Sequence, residues 1–188
     1  MKQYRHFKIL LLLLLAFAIL ASTTSFTNFN RSRTRVAYKE LGKTDKDAQF
    51  LAKAAELNLD EIQLGKLAQQ KSMMTDVQEL GKSNEDDHNQ SLIDLTALAQ
   101  KKAISLPTNT THKAQDEYKT LSNKTESHFN KAYCERVIKD NKEAMIMFEE
   151  ASKVSSDADI KEWITKTIPM LRTHLNNATL CKTKCEKM

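Results

Sequence analysis

Four residues of this 188-residue chain join acid–base or metal-ligating chemistry to an inward position: Glu61, His88, Asn141 and His174. Each interrupts a run of apolar side chains spaced by three and four. The runs are Phe50, Ala54, Leu57, Glu61, Leu64, Ala68; then Val77, Leu80, Gly81, Asn84, His88, Ser91, Leu95, Leu98; then Phe129, Tyr133, Val137, Asn141, Ala144, Phe148; and last Ile160, Ile164, Thr167, Leu171, His174, Ala178. Such steps keep each set on one helix face, so bundling the helices would bury a carboxylate, two imidazoles and an amide. Buried groups of this kind are costly unless something satisfies them. Either a metal ion or an internal hydrogen-bond network would do so.

Two imidazoles and a carboxylate suit zinc, or iron with open positions. A di-iron bundle needs a Glu from each of two helices and a Glu-x-x-His pair from each of the other two. Glu61 can serve as a lone Glu, and Glu85 to His88 has the pair spacing. Leu171 stands three positions before His174, however, and the stripe of Asn141 carries no Glu, so the di-iron set is incomplete. A single divalent ion on Glu61, His88 and His174, completed by Asn141 or water, is the remaining metal reading. His174 is expected toward the end of its helix, and an offset of about five residues would set it ~7–8 Å from the others. A network of Glu61 with His88, bridged by Asn141, is therefore the favoured reading. Asp86 and Asp87 are expected in solvent, with Asp87 at most orienting the His88 ring. Nucleophile motifs, phosphate loops and a second carboxylate for acid–base work are missing, which points away from an enzyme and from a small-molecule substrate.

The elements that must position these residues are helices. Only 3 Gly and 2 Pro occur, while Lys, Leu, Ala, Glu and Gln, all good helix formers, dominate. Thr44 or Asp45 can cap a first helix reaching about Gln70, and Thr75 with Gln78 fits a capping box for a second reaching about Ala103. Leu106-Pro107 ends that stretch. A short helix follows from Asn109–Thr111 to Leu121, a third long helix runs from near Ser127 to Lys153, and Ser155–Asp157 cap a fourth in which Pro169 should cause a kink. Short connections favour antiparallel neighbours, and the long one between helices two and three requires a crossover. The expectation is an all-α, antiparallel four-helix bundle with a short extra helix in that connection.

Lys2, Arg5 and Lys8 precede an apolar run from Ile9 to Ala21, the parts of a signal peptide over residues 1–21. The run is shorter than the ~17–25 residues of a spanning helix, so an uncleaved anchor is the lesser reading. Export to the periplasm or outside the cell is expected, with residues 22–44 as linker, 45–179 as the bundle and 180–188 as a basic tail. The formal charge of +5 falls to +2 once three leader cations are removed, since no acidic residue precedes Glu40. That balance argues against a nucleic-acid partner and leaves envelope association open. Cys181 and Cys185 can bridge with local distortion, Cys134 reads as a small buried residue, and a cysteine metal site is not expected.

The blocks Asp47-Ala-Gln-Phe50, Glu61-Ile-Gln-Leu-Gly-Lys-Leu-Ala68, Asp87-His88, Leu106-Pro107, Phe129-Asn-Lys-Ala-Tyr133 and Ile168-Pro-Met-Leu-Arg-Thr-His174 occur in order. Together they resemble the bacterial ferritin-like domain of unknown function, family four-one-four-two, over roughly residues 45–179. The resemblance implies a four-helix ferritin-like bundle of secreted or outer-membrane type and no established activity. The family usually places Asp where this chain has Asn130 and His where it has Asn141. If the family's inward polar residues hold a metal, this chain has lost a ligand.

Overall fold

The computed structural model describes residues 45–187, and the leader and linker read from the sequence lie outside them. Among the described residues every regular element is a helix: α1 (45–71), α2 (Thr75–Lys101), α3 (His112–Ser122), α4 (Glu126–Val154) and α5 (Ala158–Cys185). No helix among them is long and apolar enough to cross a membrane.

Cross-helix pairs give the topology. Gly65 meets Gly81, Glu61 meets Asn84 and Asn58 meets His88, so α1 and α2 run antiparallel. Phe50 with Phe148 and Asp60 with Arg136 make α1 antiparallel to α4. Asp76 with Lys184 and Asp87 with His174 make α2 antiparallel to α5. It follows that α2 and α4 point the same way across the bundle diagonal, which a tight turn cannot achieve. The segment carrying α3 returns the chain to the starting end, giving the four-helix bundle with one long crossover that the sequence implied.

Local chemistry sets the helix ends. The expected Thr75–Gln78 capping box does not form: Met74 is the N-cap without a side-chain bond, and the Gln78 amide donates to the Ser72 carbonyl at 2.7 Å. Thr111 caps α3 by accepting from Ala114 N–H at 3.1 Å, and Asp157 caps α5 by accepting from Asp159 and Ile160 N–H at 3.0 and 3.1 Å. Helix α2 closes with Ile104 N–H on the Ala99 carbonyl and Ala103 N–H on that of Gln100, which places Ala103 in the left-handed region at φ 54°. Pro169 sits within α5, which continues through it. The same helix runs on to Cys185, so residues 180–185 belong to the bundle instead of to a tail.

All four apolar stripes face inward, with only Leu57 and Leu98 partly exposed. They build two separate apolar clusters. One holds Phe50, Leu51, Leu95, Phe148, Trp163 and Ile164, with the Phe50 and Phe148 rings edge to face at 5.1 Å. The other, at the opposite end, holds Leu64, Val77, Phe129, Tyr133, Val137 and Ala178. Between them lies a polar layer.

Candidate functional site: a polar layer at mid-bundle

The layer is built from one or two residues per helix: Asn58 and Glu61 on α1, Asn84 and His88 on α2, Asn141 on α4 and His174 on α5. All six are at most 2 % exposed. What brings α1 close to α2 here is a glycine pair. A Cβ on Gly65 would lie 2.5 Å from the Gly81 carbonyl oxygen, and one on Gly81 would lie 2.7 Å from that of Gly65. Backbone therefore touches backbone one turn from Glu61 and Asn84, and only glycine permits it.

Hydrogen bonds fix the protonation pattern. The Asn58 amide nitrogen donates to the Ala54 carbonyl at 2.8 Å, leaving its oxygen to accept from His88 Nδ1–H, also at 2.8 Å. His88 is thus the Nδ1–H tautomer, with a bare Nε2 lone pair. His174 donates from Nε2 to the Asp87 carboxylate at 2.8 Å and keeps Nδ1 bare. The two rings lie 5.3 Å apart, centroid to centroid. Asn84 donates to Glu61 at 3.3 Å and approaches the Tyr133 hydroxyl at 3.5 Å. Asn141 donates to the Val137 carbonyl of its own helix at 2.9 Å.

Burial neutralises the layer. It lowers His88 from 6.5 to about 3, with the neighbouring His174 adding to the effect. Burial lowers His174 as well, against the pull of Asp87. It pushes Glu61 well above the usual carboxylate range, and the carboxylates of Asp140 and Asp60 push the same way. A neutral carboxyl and two neutral imidazoles then sit in a low-dielectric layer, as expected when buried ionisable groups lack counterions.

Several sequence-based placements change. His174 is level with His88, because α5 begins at the end of the bundle where α2 finishes; the expected axial offset does not exist. The Glu61–His88 contact gives way to Glu61–Asn84 and His88–Asn58. Asp87 orients His174, not His88. Asn141 bonds within α4 and bridges nothing. Glu85 leaves the group altogether: it is partly exposed, accepts from Gln69 at 2.7 Å and faces Lys66 at 3.7 Å.

The residues present do not fit a di-iron centre, since Glu85 points away and α4 and α5 contribute no carboxylate to the layer. Nor do Glu61, His88 and His174 gather three ligating atoms within 4.8 Å of one another; among the described residues only Cys134, Cys181 and Cys185 do that. All three are free thiols, so the expected bridge between Cys181 and Cys185 is not made. The sequence hid this cluster, because 47 positions separate Cys134 from Cys181. The antiparallel packing of α4 on α5 makes them neighbours.

A second group missed in the sequence flanks the layer. Arg136 of α4 pairs with Asp60 of α1 at 2.6 Å, with Glu117 of α3 at 2.6 Å, and with Asp140 one turn on. Burial outweighs the guanidinium at Asp60, whose carboxyl rises to about 6. These residues tie the crossover helix to the bundle. They lie beside the apolar stripes, where periodicity gives no signal.

A family model described as a domain of unknown function, DUF4142, matches residues 33–180, most of the chain. The chain belongs to this family. The match spans the whole polar layer and stops one residue before Cys181. No curated protein and no solved structure matches the chain. Family membership agrees with the resemblance carried by the Glu61–Ala68, Asp87-His88 and Ile168–His174 blocks, and it assigns no activity.

Proposed function

We propose that this DUF4142 chain is an exported, non-enzymatic helical bundle that serves as a binding or envelope-associated module, with its polar layer acting as internal scaffold. One observation carries the non-enzymatic reading: each imidazole is tied through one nitrogen to a protein partner while burial holds it neutral. A base lowered to about 3 accepts protons poorly near neutral pH, where general acid–base groups are tuned close to the working pH. Export is supported by the Lys2, Arg5, Lys8 and Ile9–Ala21 pattern.

A second reading, a divalent ion such as zinc or iron on Glu61 and His88, is favoured by a different observation. Glu61 Oε1, Asn84 Oδ1, His88 Nε2 and Asn141 Oδ1 are buried without a protein partner. Water can satisfy such atoms, and so can a cation.

One experiment separates the readings. The protein is isolated from its own host by cell fraction, its N-terminus is sequenced, and its metal content is measured beside the Glu61→Gln and His88→Ala variants. An extracytoplasmic protein beginning after the apolar run, free of zinc and iron yet fully folded, is the expected result. An intact N-terminus in the cytoplasmic fraction would overturn export. Stoichiometric zinc or iron that disappears in both variants would overturn the scaffold.

A further inference from the structure

The end of the bundle opposite Trp163 gathers sulfur. Cys134 of α4 and Cys181 of α5 are brought level by antiparallel packing, with Lys182 and Glu135 paired alongside at 3.2 Å. Cys185 lies one helical turn beyond Cys181, on the same face. The three Sγ atoms are all within 4.8 Å of one another. A fourth sulfur comes from the turn between α1 and α2: Met74 Sδ is 3.7 Å from Cys185 Sγ. These are all the cysteines the chain has.

We propose that Cys134, Cys181, Cys185 and Met74 form a binding site for a soft, thiophilic cation, monovalent copper.

The donor set selects the ion. Thiolates and a thioether are soft ligands, which favour monovalent copper over hard divalent ions, and a thioether is a poor zinc ligand beside imidazole or carboxylate. The dimensions also fit. With metal–sulfur bonds of about 2.3 Å, tetrahedral sulfurs stand about 3.8 Å apart and trigonal ones about 4.0 Å. The Met74–Cys185 edge already has that length, and closing the thiol triangle takes movements of about an ångström. Cys134 and Cys181 are buried while Met74 and Cys185 are partly exposed, so the site has a dry floor and an open side. A groove of about 390 Å³ between α2 and α5 also reaches Cys181.

Each thiol that ligates releases its proton to water, and no electron is transferred, so apparent affinity rises with pH.

Ordinary core packing is the competing account, because a buried free cysteine behaves as a small apolar residue. The full chain, reduced and kept anaerobic, is titrated with monovalent copper as its acetonitrile complex against a colorimetric copper(I) chelator. Expected are one copper retained per chain, a thiolate-to-copper charge-transfer band in the ultraviolet, and weaker retention at lower pH. Cys185→Ser, at a partly exposed helix end, should keep the helical signal and melting temperature yet lose the band and release copper to the chelator. Met74→Leu should weaken retention without abolishing it. Retention unchanged by Cys185→Ser would overturn the proposal. So would complete loss of copper to the chelator from the native chain, preference for zinc in direct competition, or a Cys134–Cys181 disulfide persisting in protein from its host. The polar layer is not involved: copper lost in Cys185→Ser and kept in His88→Ala belongs to this site alone.

Discussion

The protonation of His88 offers the sharpest test of how the polar layer is held. Folding moves this imidazole from 6.5 to about 3, through burial first and His174 second. Between those values the unfolded chain binds a proton at this residue that the folded chain refuses. Folded stability therefore falls as pH falls through that window, and the contribution is intact above 6.5. Integrated from pH 7 to pH 5, the loss from His88 alone is about 2 kcal/mol. The wild-type profile does not report this directly. Asp60, raised to about 6, and Glu61, raised well above the usual carboxylate range, take up protons in the folded state over part of the same range and so oppose the loss. The His88→Gln variant isolates the effect: it keeps an amide that can reach Asn58, it cannot titrate, and it leaves the carboxylates in place. Urea unfolding of both proteins at pH 7 and pH 5 is the assay. The wild type should lose about 2 kcal/mol relative to His88→Gln between the two pH values. A stability difference independent of pH, or one moving in favour of the wild type on acidification, would refute the neutral, desolvated imidazole.

Gly65→Ala should destabilise the fold by about 1–3 kcal/mol in urea unfolding, despite the better helix propensity of alanine, because the new methyl meets the Gly81 carbonyl and not a flexible side chain. An unchanged midpoint would mean the two helices can part freely. Arg136→Ala should cost about 3 kcal/mol, since Asp60 and Asp140 lose their shared cation while buried. The loss should shrink toward acid pH, where both carboxyls protonate, and a loss independent of pH would show that Arg136 acts through packing alone.

Helix number, the inward faces and the single long crossover were legible because one periodicity sets them all. Phe50 to Ala68 and Ile160 to Ala178 read as stripes, and they are stripes. Axial level was not legible. His174 was expected at a bundle end because its distance from the start of its own helix says nothing about where that helix starts beside α2. Partner choice within the layer was equally hidden: Asn58 lies one position off the α1 stripe, yet it, and not Glu61, accepts the hydrogen bond from His88. The same applies to Cys134, whose neighbours lie on another helix and could be named only once α4 and α5 were paired. Periodicity records which face a residue occupies. It does not record what stands opposite.

The placement of the layer supplies a physical reason for burying it. The apolar clusters above and below are built mostly from Leu, Ala, Ile, Val and Phe, side chains that could interdigitate in more than one axial register. The polar groups cannot. A slip of one turn between α1 and α2 would move His88 away from the Asn58 oxygen and toward Ala54 or Ile62, and it would drive Gly65 against a residue bearing a Cβ. A slip of α5 on α2 would part His174 from Asp87, the one member of the layer's hydrogen bonds that reaches solvent. Each displaced group would then lie buried without its partner, at a cost of about 1–3 kcal/mol apiece. Register specification by a few buried polar residues is well attested in helical assemblies. Here it acts where it is most needed, because the diagonal pair α2 and α4 run parallel through a crossover of more than twenty residues and no tight turn fixes their relative height.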